Sequence, residues 1–162
     1  MASNSTTTHT ADTEVLVRRS MTKGYEIFSL LTPPIYTAFI VARKGRSQFK
    51  VNRLLRATWL GSVAGCAGGG AFEYARSANS SESKVRTRRI QHAYDIASLR
   101  ADDHSTIGAM LFAVLTPAVL WKRANPVNLI LGGAGIGSAV GLLTHCIRPL
   151  TGSPPKNTPP VL

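Results

Sequence analysis

The sequence predicts an all-α, multi-pass membrane protein with about four transmembrane helices and glycine-striped packing faces. Three observations predict it. Four apolar runs, at residues 25–42, 54–72, 105–121 and 127–147, are nearly free of charge. The 19 Lys and Arg residues behind the net charge of +11 gather before and between those runs. That segregation suits a bilayer, where a Lys or Arg at the hydrocarbon centre costs about 2.5–3.5 kcal/mol even on lenient scales. Glycine also recurs at every fourth position in two of the runs, a pattern that is poor in a soluble helix and useful in a membrane one. A length of 162 residues fits one domain.

Residues 1–24 read as a polar N-terminal arm whose only apolar cluster is Val15, Leu16 and Val17. The arm lacks the apolar stretch of a secretory signal, and Asp12 and Glu14 fit a cleavable mitochondrial presequence poorly. The membrane domain is expected over 25–148. Its first run, 25–42, has Glu26 near its start and Pro33–Pro34 in its middle, so it reads as a kinked spanning helix or a re-entrant segment. A basic connection follows, with Arg43, Lys44, Arg46, Lys50, Arg53 and Arg56 and no acid; these six are the expected lipid or partner contacts. In the second run, Gly61, Gly65 and Gly69 share one face and permit close approach of another backbone.

Residues 73–104 form the longest polar connection. Within it, 84–100 has apolar residues at three- and four-residue spacing behind Arg86, Arg88 and Arg89. It fits a helix lying at the headgroup level, one docked on a partner, or a solvated surface helix. The third run, 105–121, follows Asp102 and Asp103, which read as helix-start residues, and ends at Trp121, Lys122 and Arg123, an interfacial pattern. Pro117 is expected to bend its last turn. The fourth run, 127–147, spans about 31 Å as a helix and carries Gly133, Gly137 and Gly141. Residues 149–162 hold most of the remaining prolines and read as an extended tail. Beyond the two glycine stripes, no residue-level internal repeat is apparent. Basic density at the first and third connections places that side in the negative compartment and both termini outside it.

No catalytic, cofactor-binding or metal-binding residues are expected. Gly132–Gly133–Ala134–Gly135–Ile136–Gly137 imitates a dinucleotide fingerprint but lies within an apolar run without a following acidic ribose ligand. His92 and His104 lie near Asp95, Asp102 and Asp103 in sequence, yet their spacing matches no metal site. Cys66 and Cys146 read as small buried packing residues, and His145 as an interfacial one. Nucleic-acid binding does not fit basic residues that flank apolar runs without interleaved aromatics; anionic phospholipids or acidic faces of a membrane complex are the natural counter-charges.

The stretch RRIQHAYDIASLRADDHSTIGAMLFAVLTPAVLWKRA (88–124), together with GSVAGCAGGGAFEYAR (61–76), resembles a small accessory subunit in the membrane arm of fungal mitochondrial complex I, the proton-pumping NADH:ubiquinone oxidoreductase. The likeness covers roughly residues 20–148. The four-run, glycine-striped layout also looks like the Tim17/Tim22/Tim23 import family. The resemblance implies the mitochondrial inner membrane, no cofactor and no catalytic residues, a role in assembly or stability, and other membrane-arm subunits as partners. A Tim17-like translocase or transporter component is the alternative. It would need a wet polar face, for which only Thr58, Ser62, Thr116, Ser138 and Thr144 are at hand.

Overall fold

The computed structural model describes residues 2–45 and 50–147, and among these it contains five helices and no strand. In chain order they are α1 (Ala2–Lys44), α2 (Val51–Ala78), α3 (Glu82–Ala93), α4 (Ile96–Leu120) and α5 (Pro126–Ile147). Arg46, residues 148–162 and the expected tail lie outside the described residues.

Several boundaries differ from those expected. The polar arm is helical from Ala2 and continues unbroken through Pro33–Pro34, so the first run is part of a 43-residue helix. Flanking turns carry the helix past the two missing N–H groups, and Thr37 Oγ1 donates to the Pro33 carbonyl at 2.8 Å. Gly45, at φ 74°, ends α1 in the left-handed conformation that closes many helices. The polar connection is shorter than 73–104, because α2 continues to Ala78. The segment 84–100 is two helices, α3 and the start of α4, separated at Tyr94 and Asp95. Asp95, rather than Asp102 or Asp103, caps α4: its Oδ1 accepts from Ser98 N at 3.1 Å. Asp102 and Asp103 lie about two turns inside, and α4 also runs through Pro117. Pro126 opens α5 at a position where its missing N–H costs nothing.

The helices form two antiparallel hairpins, α1 with α2 and α4 with α5, joined through α2 and α5. Asn52, at the start of α2, accepts through Oδ1 from Asn125 N at 3.3 Å and Asn128 Nδ2 at 2.8 Å, at the start of α5. The α1–α2 and α4–α5 connections therefore share one end of the bundle. α3 lies at the other end against α1, with Val85 fully buried.

Burial is inverted relative to a water-soluble fold. Of the nine largest side chains with less than 2% exposure, six are polar: Glu26, Thr58, Ser29, Ser62, Ser77 and Ser138. Meanwhile Ile107, Met110, Leu111, Val114 and Val119 line the outer face of α4 at 58–75% exposure. In water this arrangement forfeits the hydrophobic driving force; in hydrocarbon it is the economical one. Three helical segments, His9–Arg43, Ile96–Leu120 and Pro126–Ile147, are long and apolar enough to cross a membrane, which is the character of a membrane protein. α2 is long enough at 28 residues, but its glycines lower its mean hydropathy.

Candidate functional site

Each hairpin is closed by glycines set tightly against the partner helix. On α2, Gly61 lies against Thr32, Gly65 against Gly24 and Phe28, and Gly69 against Ser20 and Gly24 of α1. On α5, Gly133 lies against Phe112 and Thr116, Gly137 against Gly108 and Phe112, and Gly141 against His104 and Ser105 of α4. The approach is too close for a methyl group. A Cβ at Gly69 would fall 2.5 Å from the Ser20 carbonyl oxygen, and one at Gly133 would fall 2.6 Å from the Phe112 oxygen. At such separations small residues gain dispersion contacts along both backbones, the main driving force where no hydrophobic effect operates between helices.

The sequence reading missed the partners of these stripes, Gly24 and Gly108. Each is a lone glycine, with no four-residue repeat to mark it. Superposing the two hairpins by their contacts corrects a second expectation, the absence of a residue-level repeat. Ser20, Gly24, Phe28 and Thr32 stand to Gly69, Gly65 and Gly61 as His104, Gly108, Phe112 and Thr116 stand to Gly141, Gly137 and Gly133. Under that register GYEIFSLLTP (24–33) aligns with GAMLFAVLTP (108–117), identical at Gly, Phe, Leu, Thr and Pro. The repeat is inconspicuous in the sequence because its two copies differ at five of their ten positions.

Polar side chains reinforce each seam. Ser29 Oγ and Ser62 Oγ are 2.7 Å apart between α1 and α2, and Ser105 Oγ and Ser138 Oγ are 2.6 Å apart between α4 and α5. Ser20 Oγ donates to the Gly69 carbonyl at 2.9 Å. Between hairpins, α5 offers α2 a second small-residue face: Gly132 lies against Leu55, and Gly135 against Thr58 and Ser62. Trp59 Nε1 donates to Asn128 Oδ1 at 3.1 Å nearby. Lys23 links the hairpins at the α3 end, pairing with Glu26 at 2.9 Å and with Asp102 of α4.

Charge divides by end. Arg43, Lys50, Arg53 and Arg56 are exposed beside the two connections, where Lys122 and Arg123 also lie, and none has a carboxylate partner among the described residues. The Arg43 guanidinium sits over the Phe39 ring at 5.3 Å. Lys44 closes α1 at the same end. All eight acids belong to the α3 half, where Arg89 pairs with Asp12, Arg88 with Glu73 at 2.8 Å, and Arg19 Nη1 donates to the His92 carbonyl at 2.7 Å.

The cysteine expectation needs correction: Cys146 is exposed and Cys66 half-buried, both as free thiols. The rings of His104 and His145 stand 5.6 Å apart, and no group of three or more His, Cys, Asp or Glu side chains that could hold a metal occurs among the described residues. Comparison with known proteins finds no matching family model, no matching curated protein and no matching solved structure.

Proposed function

We propose that the chain is a non-catalytic accessory subunit of the membrane arm of mitochondrial complex I, a structural component of the inner membrane. In this reading α2 is the fourth crossing helix. The resemblance of residues 61–76 and 88–124 to such a subunit motivates the assignment. The observation that carries the structural role is the fate of the polar side chains inside the bundle. Thr58, Ser62 and Ser138 are buried at 1% exposure or less. Thr58 donates to the Leu54 carbonyl at 2.9 Å, and the two serines bond across the hairpin seams. Thr144 is exposed and donates to the Val140 carbonyl at 2.8 Å. The two serines link neighbouring helices and the two threonines turn back onto their own helices, so these hydroxyls are already engaged, which weighs against a translocase or transporter.

The crossing of α2 is supported by its length, about 42 Å at the usual rise, and by its position between α1 and α5, where Gly61, Gly65 and Gly69 are covered by protein. The acid-free end, with Arg43, Lys44, Lys50, Arg53 and Arg56, suits the negative compartment and anionic phospholipid headgroups. The apolar face of α4 then meets lipid acyl chains or a neighbouring subunit. Purification of respiratory complex I through a tag on another subunit tests the assignment. Stoichiometric presence of this chain is expected, and its absence from the intact complex overturns the assignment.

A further inference from the structure

The α2–α3 corner forms an open cleft of about 380 Å³, lined by Arg76, Ser80, Ser83, Lys84, Thr87 and Arg88. Three cations and three hydroxyls face one space, and no carboxylate is among the lining residues. Glu73 is engaged by Arg88 Nη1 at 2.8 Å and by Ser77 Oγ at 3.3 Å. Arg88 Nη2 donates to Ser80 Oγ at 3.1 Å, which fixes the guanidinium at the cleft wall. Arg76 and Lys84 are exposed and have no carboxylate partner among the described residues.

From this arrangement we infer that the cleft binds a phosphate group, as a phospholipid headgroup or as free phosphate. Arg supplies a planar donor fork and Lys a mobile point charge, the combination that recognises phosphate oxygens. Ser83 and Lys84 lie in the first turn of α3, where backbone dipoles add to the attraction for an anion. Phe72 and Tyr74, 67% and 63% exposed, lie on the last turns of α2 before Arg76. Aromatics at that level mark the headgroup boundary, so the cleft sits where a lipid phosphate would be. This site lies at the opposite end from the acid-free loops and does not depend on membership in a respiratory complex.

The test uses the full chain purified in neutral detergent, with two ligands. Native mass spectrometry reads retention of phosphatidic acid against phosphatidylcholine, and titration calorimetry reads inorganic phosphate. Arg76→Gln combined with Lys84→Gln is compared with Arg18→Gln combined with Arg100→Gln, which removes the same net charge at positions that line neither the cleft nor the acid-free loops. The first pair is expected to weaken binding of the preferred ligand by about tenfold or more, as loss of charge-assisted hydrogen bonds does, while the second leaves it near the parent value. Selective retention of phosphatidic acid identifies a lipid headgroup site, and calorimetric binding of phosphate alone identifies a free-phosphate site. Equal loss in both variants, or binding of neither ligand by the parent chain, overturns the inference. Unchanged helical circular dichroism confirms that these exposed substitutions leave the fold intact.

Discussion

Gly68 and Gly69 are neighbours on α2, and the same substitution should act on them in opposite directions. A Cβ at Gly69 would lie 2.5 Å from the Ser20 oxygen and 3.4 Å from the Gly24 Cα, whereas one at Gly68 meets nothing within 4 Å. Ordinary carbon contacts begin at about 3.5 Å. The first carbon at Gly69 therefore asks α1 to withdraw by roughly 1 Å, and the rest of a leucine displaces it further. Overpacking of this kind costs about 1–3 kcal/mol, and loss of the Ser20–Gly69 hydrogen bond adds about 0.6 kcal/mol at the average measured between membrane helices. Gly→Leu also raises helix propensity by somewhat under 1 kcal/mol at either site, a gain that cancels in the comparison. Gly69→Leu should thus be less stable than Gly68→Leu by about 2–3 kcal/mol, roughly 30-fold or more in the folding equilibrium. Reversible unfolding of the full chain in mixed micelles, followed by circular dichroism across a dodecyl sulfate titration, reads the difference. Coincident midpoints would refute the close backbone approach of α1 and α2.

Other consequences follow from the seams. A double-mutant cycle of Ser105→Ala and Ser138→Ala should give a coupling of about 0.6 kcal/mol, with about 1.7 kcal/mol as the ceiling, by the same unfolding assay; zero coupling removes that hydrogen bond from the interface. Lys23→Met leaves Glu26, whose side chain is 3% exposed, without its cation. It should cost about 1–3 kcal/mol, because the Glu26 end of the pair is buried while the Lys23 side chain is 31% exposed. Adding Glu26→Gln should recover much of the loss, and a double variant as unstable as the single one contradicts the pairing. Asn128→Leu removes the acceptor of the Trp59 indole and the donor to Asn52. Its signature is altered Trp59 fluorescence in a Trp121→Phe background, together with a loss of about 1 kcal/mol.

Much of this architecture was legible because membrane packing writes itself into spacing. The stripes Gly61–Gly65–Gly69 and Gly133–Gly137–Gly141 have a period that places them on one face, and each meets its own hairpin partner. Their partners were not legible. Gly24 and Gly108 carry no periodic mark, and only the fold shows that both stand opposite a stripe. Helix starts are hidden in the sequence where a polar stretch is nonetheless helical. The first half of α1 is helical although polar, held by Arg89–Asp12 and Arg19–His92 contacts between residues more than 70 positions apart. Asp102 looks like a cap in sequence, but it is drawn instead to Lys23 of a distant helix. The phosphate-type cleft was hidden for the same reason: Arg76 and Lys84 belong to one polar stretch, and only the turn at Asn79–Ser81 folds their side chains toward a common space.

The proposed crossing of α2 is tested most directly by its two ends. In a chain with Cys66→Ala and Cys146→Ser, single cysteines are introduced at Asn52 or at Asn79 and treated with a membrane-impermeant maleimide on sealed native membranes of one orientation. Labelling of Asn79→Cys from the outside, with Asn52→Cys protected until the membrane is opened, is the expected result. Labelling of both positions from the same side would show that α2 does not cross, and the four-crossing arrangement would fall with it.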